Sequence, residues 1–332
     1  VRILNDIHIG ATRSAGTTPA SQAALRKHIL SSFNELLPVG EDLMLLGDLF
    51  DTVNVPLTDM LAAFEILADW LAANPEALLF NVAGNHDLPK ASTSLSSFQL
   101  LGKLLSRQFG DRYVHIEEPM DTSYGYVIPH LANQELFDAA LAAVPKSTRL
   151  FLHCNVNNHY AAQSDQSLNL SRFVLDSLPV DEVLVAHEHQ SRTIGKAIVI
   201  GNQIASSVSD WLNCERKQFA SVTAKTTALI TCADRCAEFE EVNWRNLAHS
   251  SSKFIRVIGD AAPEEVSDVL SLINSLRRST DAFIVSNAVK VASEDVFSGS
   301  IESVHAFSVV DALRKYLTAA EMLKLEPYVT TA

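Results

Sequence analysis

Four cysteines in 332 residues are too few for a disulfide framework. Cys232 and Cys236 are spaced wrongly for a zinc knuckle, and no second pair accompanies them. Cys154 reads as a buried, inert thiol on the strand face opposite to its neighbour His153. A reducing, cytoplasmic setting is the expectation. Long apolar runs are missing too: no stretch reaches the roughly 18 apolar residues of a membrane span. The opening segment Val1-Arg2-Ile3-Leu4-Asn5-Asp6 runs straight into a strand and carries no secretory signal pattern. Positive charge is scarce. With 26 Lys and Arg against 39 Asp and Glu, the net charge is −13. That balance argues against a generally basic nucleic-acid coat and leaves room only for a local basic path. There is no internal repeat and no low-complexity tract.

What is present is a set of five polar phrases, each following an apolar run. Asp6-Ile7-His8 follows Arg2-Ile3-Leu4, and Gly47-Asp48-Leu49-Phe50-Asp51 follows Leu43-Met44-Leu45-Leu46. Gly84-Asn85-His86-Asp87 follows Leu78-Leu79-Phe80-Asn81-Val82, His153 follows Leu150-Phe151-Leu152, and His187-Glu188-His189 follows Val183-Leu184-Val185. Short apolar runs between turn-forming residues read as buried strands. Ligands of open α/β sheets bind beyond the carboxyl ends of such strands, so the five phrases are expected along one edge of one sheet. Any single histidine here is more often a core or surface residue than a ligand. Five of the chain's eleven histidines nonetheless fall within these phrases.

Asp6, His8, Asp48, Asn85, His153, His187 and His189 are metal ligands by type. Seven exceed the roughly four protein ligands of one tetrahedral zinc. Two divalent ions sharing a bridging carboxylate account for the number, and Asp48, in a tight glycine-led turn, is the natural bridge. Imidazole, carboxylate and amide without thiolate suit manganese, iron or zinc better than a thiolate-held structural zinc.

Around the phrases, strand and helix alternate through the first half, which predicts a layered α/β core. Helices are expected over 21–37, from Leu57, over Ser97–Phe109 and over 132–143, with strands at Tyr113–Ile116 and Tyr124–Ile128. Residues 11–22 read as a loop near the site. Close-spaced candidate strands follow the last phrase, at Ala197–Gly201, Phe219–Ala224, Ala228–Cys232 and Phe239–Val242. They predict a second sheet packed on the first. Ser250-Ser251-Ser252 reads as a linker. Beyond it, Phe254–Ile258, a helix opened by Pro263-Glu264-Glu265, and Ala282–Val291 form a β-α-β unit. A last helical stretch covers Val309–Leu325. The expected division is 1–250 and 251–332.

The five phrases, in this order, resemble the calcineurin-like metallophosphoesterase superfamily. The resemblance implies an α/β two-sheet sandwich flanked by helices, here with a small C-terminal β-α-β capping domain. Protein Ser/Thr phosphatases of that superfamily carry an Arg after the Gly-Asp motif and Gly-Asn-His-Glu. This chain has Gly47-Asp48-Leu49-Phe50-Asp51-Thr52 and Gly84-Asn85-His86-Asp87. It is similar instead to the SbcD-type DNA repair nucleases and to the related phage recombination endonuclease subunits. Ile200-Gly201-Asn202-Gln203, with Ser209-Asp210-Trp211 after it, resembles a segment of the phage subunits. Ala186 departs from the pattern, where Gly usually precedes His-x-His.

The resemblance implies a manganese-dependent hydrolase cleaving DNA, as an exonuclease on duplex ends and an endonuclease on single strands. A coiled-coil ATPase of the SbcC type would be its partner, in a two-plus-two assembly that contains a homodimer of this chain. Val310, Leu313 and Leu317 could dock on that coiled coil or cover the protein's own core. His86 is the candidate general acid or anion stabiliser at the leaving oxygen. Asp87 and Asp51 would orient it, or would cap turns. Arg13, Lys90, Arg192, Lys196, Arg216 and Lys217 lie near the phrases, either as a local DNA path or as solvated surface charge. Two other functions fit the same residues: a phosphodiesterase or phosphatase for a small molecule or phosphoprotein, and a non-catalytic DNA-end-binding scaffold.

Overall fold

All five apolar runs form strands, and all five are buried on both faces, which is why they read as continuous hydrophobic runs rather than alternating ones. The computed structural model describes residues 1–16, 18–89, 94–158, 167–211, 217–232, 238–250, 252–277 and 282–291. The helix expected over 309–325, with Lys90, Arg216 and Cys236, lies outside the described residues.

In chain order the strands are β1 (Arg2–Leu4), β2 (Leu43–Leu46), β3 (Leu79–Val82), β4 (Tyr113–Ile116), β5 (Met120–Thr122), β6 (Gly125–Ile128) and β7 (Ser147–His153). There follow β8 (Asn155–Val156), β9 (Asn169–Leu170), β10 (Val180–Ala186), β11 (Arg192–Ile194), β12 (Ala197–Val199), β13 (Gln218–Val222) and β14 (Thr227–Thr231). The last are β15 (Phe239–Asn243), β16 (Phe254–Ile258), β17 (Asp260–Ala261), β18 (Phe283–Asn287) and β19 (Lys290–Val291). The helices are α1 (Pro19–Leu36), α2 (Leu57–Ala73), α3 (Ser97–Phe109), α4 (Gln134–Ala142), α5 (Arg172–Ser177), α6 (Val208–Trp211) and α7 (Val266–Leu276).

Two six-stranded sheets carry the fold, in the orders β14-β13-β1-β2-β3-β4 and β11-β12-β10-β7-β6-β5. The period-two alternation of each strand sorts its side chains between two cores. In β2, Leu43 and Leu45 face α1, α2 and α3, while Met44 and Leu46 join the core between the sheets. In β7, Leu150 and Leu152 face α4 and α5, while Phe151 meets the first sheet's side chains in the same central core. The result is a helix-sheet-sheet-helix sandwich, as the sequence predicts.

The assignment of strands to sheets differs from the expectation in two respects. The phrase-bearing strands are not in one sheet: β1, β2 and β3 belong to the first, β7 and β10 to the second. Of the four late strands, one joins the second sheet. That strand is β12, beside β10; β13 extends the first sheet antiparallel to β1, β14 follows antiparallel to β13, and β15 joins a separate three-stranded sheet. Strands buried on both faces look alike in sequence, and nothing local records which neighbour each will pair with.

Helix ends follow their local chemistry. Thr18 caps α1, accepting from Ser21 N at 3.2 Å, and Pro19 occupies the first turn. Buried Leu25, Ile29, Phe33 and Leu36 form one stripe of α1. Ser96 and Gln99 form a capping box at α3, and Gly110 ends it. The β-α-β unit is present: β16 pairs parallel with β18 across α7, and β15 adds a third strand to it. Ser250 and Ser252, read from sequence as linker, both donate to Glu240. Contacts divide the chain into two compact units, 1–259 with 268–289 and 260–267 with 290–332. In the second, β17 pairs parallel with β19. Among the described residues no helix is long and apolar enough to cross a membrane.

Candidate metal centre

The chain leaves β1 and β2 side by side, and the two exits stay zipped together. Asp6 N donates to Gly47 O at 3.1 Å, His8 N to Asp48 O at 3.1 Å and Ile9 N to Leu49 O at 2.9 Å. The second sheet is tied in by His187 N, which donates to Asp6 Oδ2 at 3.0 Å, and by His153 Nδ1, which donates to Leu46 O at 3.0 Å. The site therefore sits at the seam where both sheets end.

Close approach explains the glycines. A Cβ at Gly47 would stand 2.0 Å from His153 Nδ1, and one at Gly84 would stand 2.1 Å from Asp48 Oδ1 and 2.3 Å from Asp48 N. Backbone strain collects here as well. Of the five described non-glycine residues with positive φ, four are Asp6 (51°), His8 (53°), Asp48 (52°) and His187 (93°). Such conformations cost on the order of 1–3 kcal/mol each and persist where surroundings impose them, typically at functional sites. Gly84→Ala is expected to displace the Asn85-His86 loop from Asp48. Overpacking costs about 1–3 kcal/mol, and a shift of about 1 Å in the loop lowers turnover about a hundredfold. A thermal melt and a turnover assay on the same preparation check both numbers.

All seven candidate ligands converge. Asp6, His8 and His189 form one group whose donor atoms lie within 4.8 Å of one another; Asp48, His153 and His187 form a second. Asn85 joins the second group, its Oδ1 3.0 Å from His153 Nε2. Asp48, of the second group, has Oδ2 3.4 Å from His153 Nε2 and Oδ1 accepting from His86 N at 2.9 Å, and its charge also acts on His8 of the first group. The cleft holds about 360 Å³ and is lined by His8, Arg13, Asp48, Asp51, His86 and His189, among others. A larger cavity, about 760 Å³, lies between α4 and α5, away from these groups.

The donor set fits divalent cations. Asp6 Oδ1 and His8 Nδ1 are buried without a hydrogen-bond partner. His8 Nε2 and His189 Nε2 face each other at 3.2 Å. Because a carbonyl only accepts, His153 Nδ1 carries its hydrogen toward Leu46 O, which turns the Nε2 lone pair toward Asn85 and Asp48. Burial lowers the His8 pKa to about 4, outweighing the pull of Asp48, so this imidazole is neutral at neutral pH. Burial alone would raise Asp48, but the charge and hydrogen bond of His153 hold it well below the usual carboxylate range. For His153, burial is outweighed by the same carboxylate, which raises it to about 9. The site thus concentrates negative charge that calls for a positive partner, and a cation would take the place of that proton.

The three residues assigned to catalysis fall differently. His86 Nδ1 donates to the backbone carbonyl of Asp51 at 2.6 Å, and its ring stands edge-on to His8 at 5.1 Å. The Asp51 carboxylate takes Arg13 Nη2 at 3.0 Å and lies 3.6 Å from His8 Nδ1. Asp87 does not reach the His86 ring in the hydrogen-bond network; it accepts from Gly84 N (2.9 Å), Phe50 N (3.1 Å) and Leu49 N (3.4 Å), stitching the second loop to the third. Burial, reinforced by the charge of Asp48, pushes Asp87 up to about 7 against those bonds. Asp87→Ala leaves three buried N–H groups without their acceptor. At about 1–3 kcal/mol for each unsatisfied group, the expected loss is at least about 2 kcal/mol, read as a lower denaturation midpoint.

Of the cations near the phrases, Arg13 alone among the four described lines the cleft. Arg192 is bound to Glu188 and to Val156 O, Lys196 donates to Leu178 O, and Lys217 is buried against Asp210. Cys154 is buried in the second sheet's outer core with its thiol pKa raised by burial, as expected of an inert thiol.

Sequence reasoning missed several contributors. Asn5, fully buried, donates to Asp6 Oδ2 at 2.5 Å and exchanges hydrogen bonds with Gln203. Asp210 accepts from Asn202, Ser206, Ser207 and Lys217 beside His189. His130 N donates to Ala83 O at 2.9 Å, and burial together with the charge of His153 lowers its imidazole to about 4. A lone His after Pro129 carries no motif by which to find it; Asn202 and Asp210 stood in the Gly-Asn segment but had no assigned role.

A family model described as calcineurin-like phosphoesterase matches residues 1–191. No curated protein matches the chain.

Proposed function

Because the chain belongs to the calcineurin-like phosphoesterase family, whose members are metal-dependent phosphoesterases, we propose that it is a two-metal phosphodiesterase acting on DNA. The observation that carries the metal reading is the pair of adjoining ligand groups, Asp6-His8-His189 and Asp48-His153-His187, meeting at one cleft. Each group would hold one divalent cation, manganese if the SbcD-type resemblance holds, with Asn85 completing the second and Asp48 shared. Bound there, such a pair neutralises phosphate oxygens and brings the pKa of water toward neutrality.

The protein's own part is positioning and proton control. His86 Nδ1 is committed to the Asp51 carbonyl, so a proton on Nε2 makes the ring cationic. An imidazolium at the cleft supplies the leaving oxygen with both charge and proton. Arg13, with its side chain 73% exposed and anchored by Asp51, is placed to take a neighbouring phosphate.

Support for DNA as substrate comes from the segment that resembles the phage endonuclease subunits. Its Asn202 and Asp210 lie against His189, and its Gln203 exchanges hydrogen bonds with Asn5, which donates to Asp6. Support is also drawn from the second loop, which lacks the Arg of the protein phosphatases. In this reading the full assembly includes a coiled-coil ATPase and two copies of this chain, in the cytoplasm.

The test supplies manganese with labelled single-stranded DNA, with duplex DNA, and separately with a phosphodiester dye. Cleavage of both DNA and dye, abolished by a chelator and restored by manganese, is the expected result. Dye cleavage with intact DNA, with and without a candidate ATPase, would move the substrate to a small molecule. Metal binding with neither substrate cleaved would favour the end-binding scaffold.

A further inference from the structure

The family match ends at residue 191, yet a buried polar assembly from the following segment closes the back of the metal cleft. Its centre is Asp210, a buried carboxylate in α6. Oδ1 lies 3.5 Å from His189 Nδ1 and accepts from Lys217 Nζ at 3.1 Å and Asn202 Nδ2 at 3.2 Å. Oδ2 accepts from Ser206 N at 3.1 Å, Ser206 Oγ at 3.2 Å and Ser207 Oγ at 3.0 Å. Lys217 is 1% exposed and also donates to Asn202 Oδ1, while Asn202 Nδ2 donates on to Ile204 O at 3.1 Å. Both carboxylate oxygens thus accept hydrogen bonds that hold the group beside the ring.

We propose that Asp210 is a positioning residue for His189, fixing which ring nitrogen faces the cleft. The two nitrogens of His189 have opposite surroundings. Nδ1 meets the carboxylate, while Nε2 points to His8 Nε2 at 3.2 Å, inside the group formed by Asp6, His8 and His189. An ionised carboxylate only accepts, so it selects the ring form with hydrogen on Nδ1 and a free lone pair on Nε2. Asn202 Nδ2, also 3.5 Å from Nδ1, is a donor and cannot take that hydrogen; its contribution is to hold Asp210. Lys217 has a matching task. Its buried ammonium donates to both Asp210 Oδ1 and Asn202 Oδ1 and so ties the two side chains together behind the ring.

Carboxylates behind ligating histidines typically contribute about 10–100-fold in metal affinity, and the effect here should fall on one cation of the two. The inference rests on His189 being a ligand, as proposed above. The experiment is a titration of the full chain with manganese, followed calorimetrically and by metal content after dialysis, for wild type, Asp210→Asn, His189→Ala and the double variant. Asp210→Asn is expected to weaken one of two binding events about 10–100-fold and leave the other unchanged, with turnover recovering as manganese is raised. In the His189→Ala background, adding Asp210→Asn should change affinity no further, because its route runs through that ring.

Should Asp210→Asn unfold by leaving Lys217 unpaired, Asp210→Asn with Lys217→Met removes both charges and gives the same reading of metal affinity. Two events of wild-type affinity in a folded Asp210 variant overturn the inference while leaving the metal centre standing. So does equal weakening of both events, which marks a merely structural role. A wild type that binds no divalent cation overturns the metal centre itself, and this inference with it.

Discussion

Asp48→Asn is expected to lower kcat by about a hundredfold to a thousandfold, the range over which removal of one electrostatic anchor acts in a dry site. It should also reduce bound metal from two ions per chain to at most one. The substitution is nearly isosteric, so the loss is of charge and of acceptor geometry. Asp48 is 1% exposed, with one oxygen on the His86 amide and the other toward His153, and its charge acts on His8 of the other ligand group. Two cations brought close together repel each other, and a shared carboxylate is what offsets that repulsion. An amide offers one acceptor instead of two and turns an NH2 toward groups that are themselves donors or cations. Metal content by mass spectrometry and turnover on the dye should fall together. Two tightly held ions in Asp48→Asn with turnover within tenfold of wild type would rule out a bridging role.

His86→Ala is expected to do the reverse: keep both metals and lose about 10²–10⁴ of kcat, the usual range for a general acid. The ring hangs from the Asp51 carbonyl and is part-exposed at the cleft, while its backbone N–H, which anchors Asp48, survives the truncation. Leaving-group chemistry sharpens the test. The alkoxide leaving from DNA needs a proton, whereas the phenolate leaving from a nitrophenyl dye needs far less help. The loss should therefore be markedly smaller on the dye than on DNA. Equal losses on both would deny His86 the proton-donor role, and a collapse in metal content would make it a ligand.

Local patterns carried far in this chain. The runs at 43–46, 97–109, 113–116 and 254–258 fold over the spans their sequence implies, because short apolar runs and capped amphipathic stretches are read within a few residues. α1 begins earlier than its apolar stripe, at Pro19, because a first-turn proline and the Thr18 cap extend it. The expected strand over 282–291 divides into β18 and β19, and these pair with different partners.

Residue type and order by themselves determined which side chains belong together: donors able to bind hard and borderline cations, each placed just after a buried strand. Pairing decided the rest. Which sheet each strand would join, and hence that the centre lies at a seam rather than along one edge, depends on contacts between segments more than a hundred residues apart, as between Leu46 and His153. The same holds for Asp87 bracing two loops rather than a ring, for Gly47 and Gly84 being needed by their neighbours' atoms, and for Asn5, His130 and Asp210 being part of the site at all. Propensity and periodicity act over a turn or a strand; a polar group acquires its role from whatever the folded chain sets opposite it.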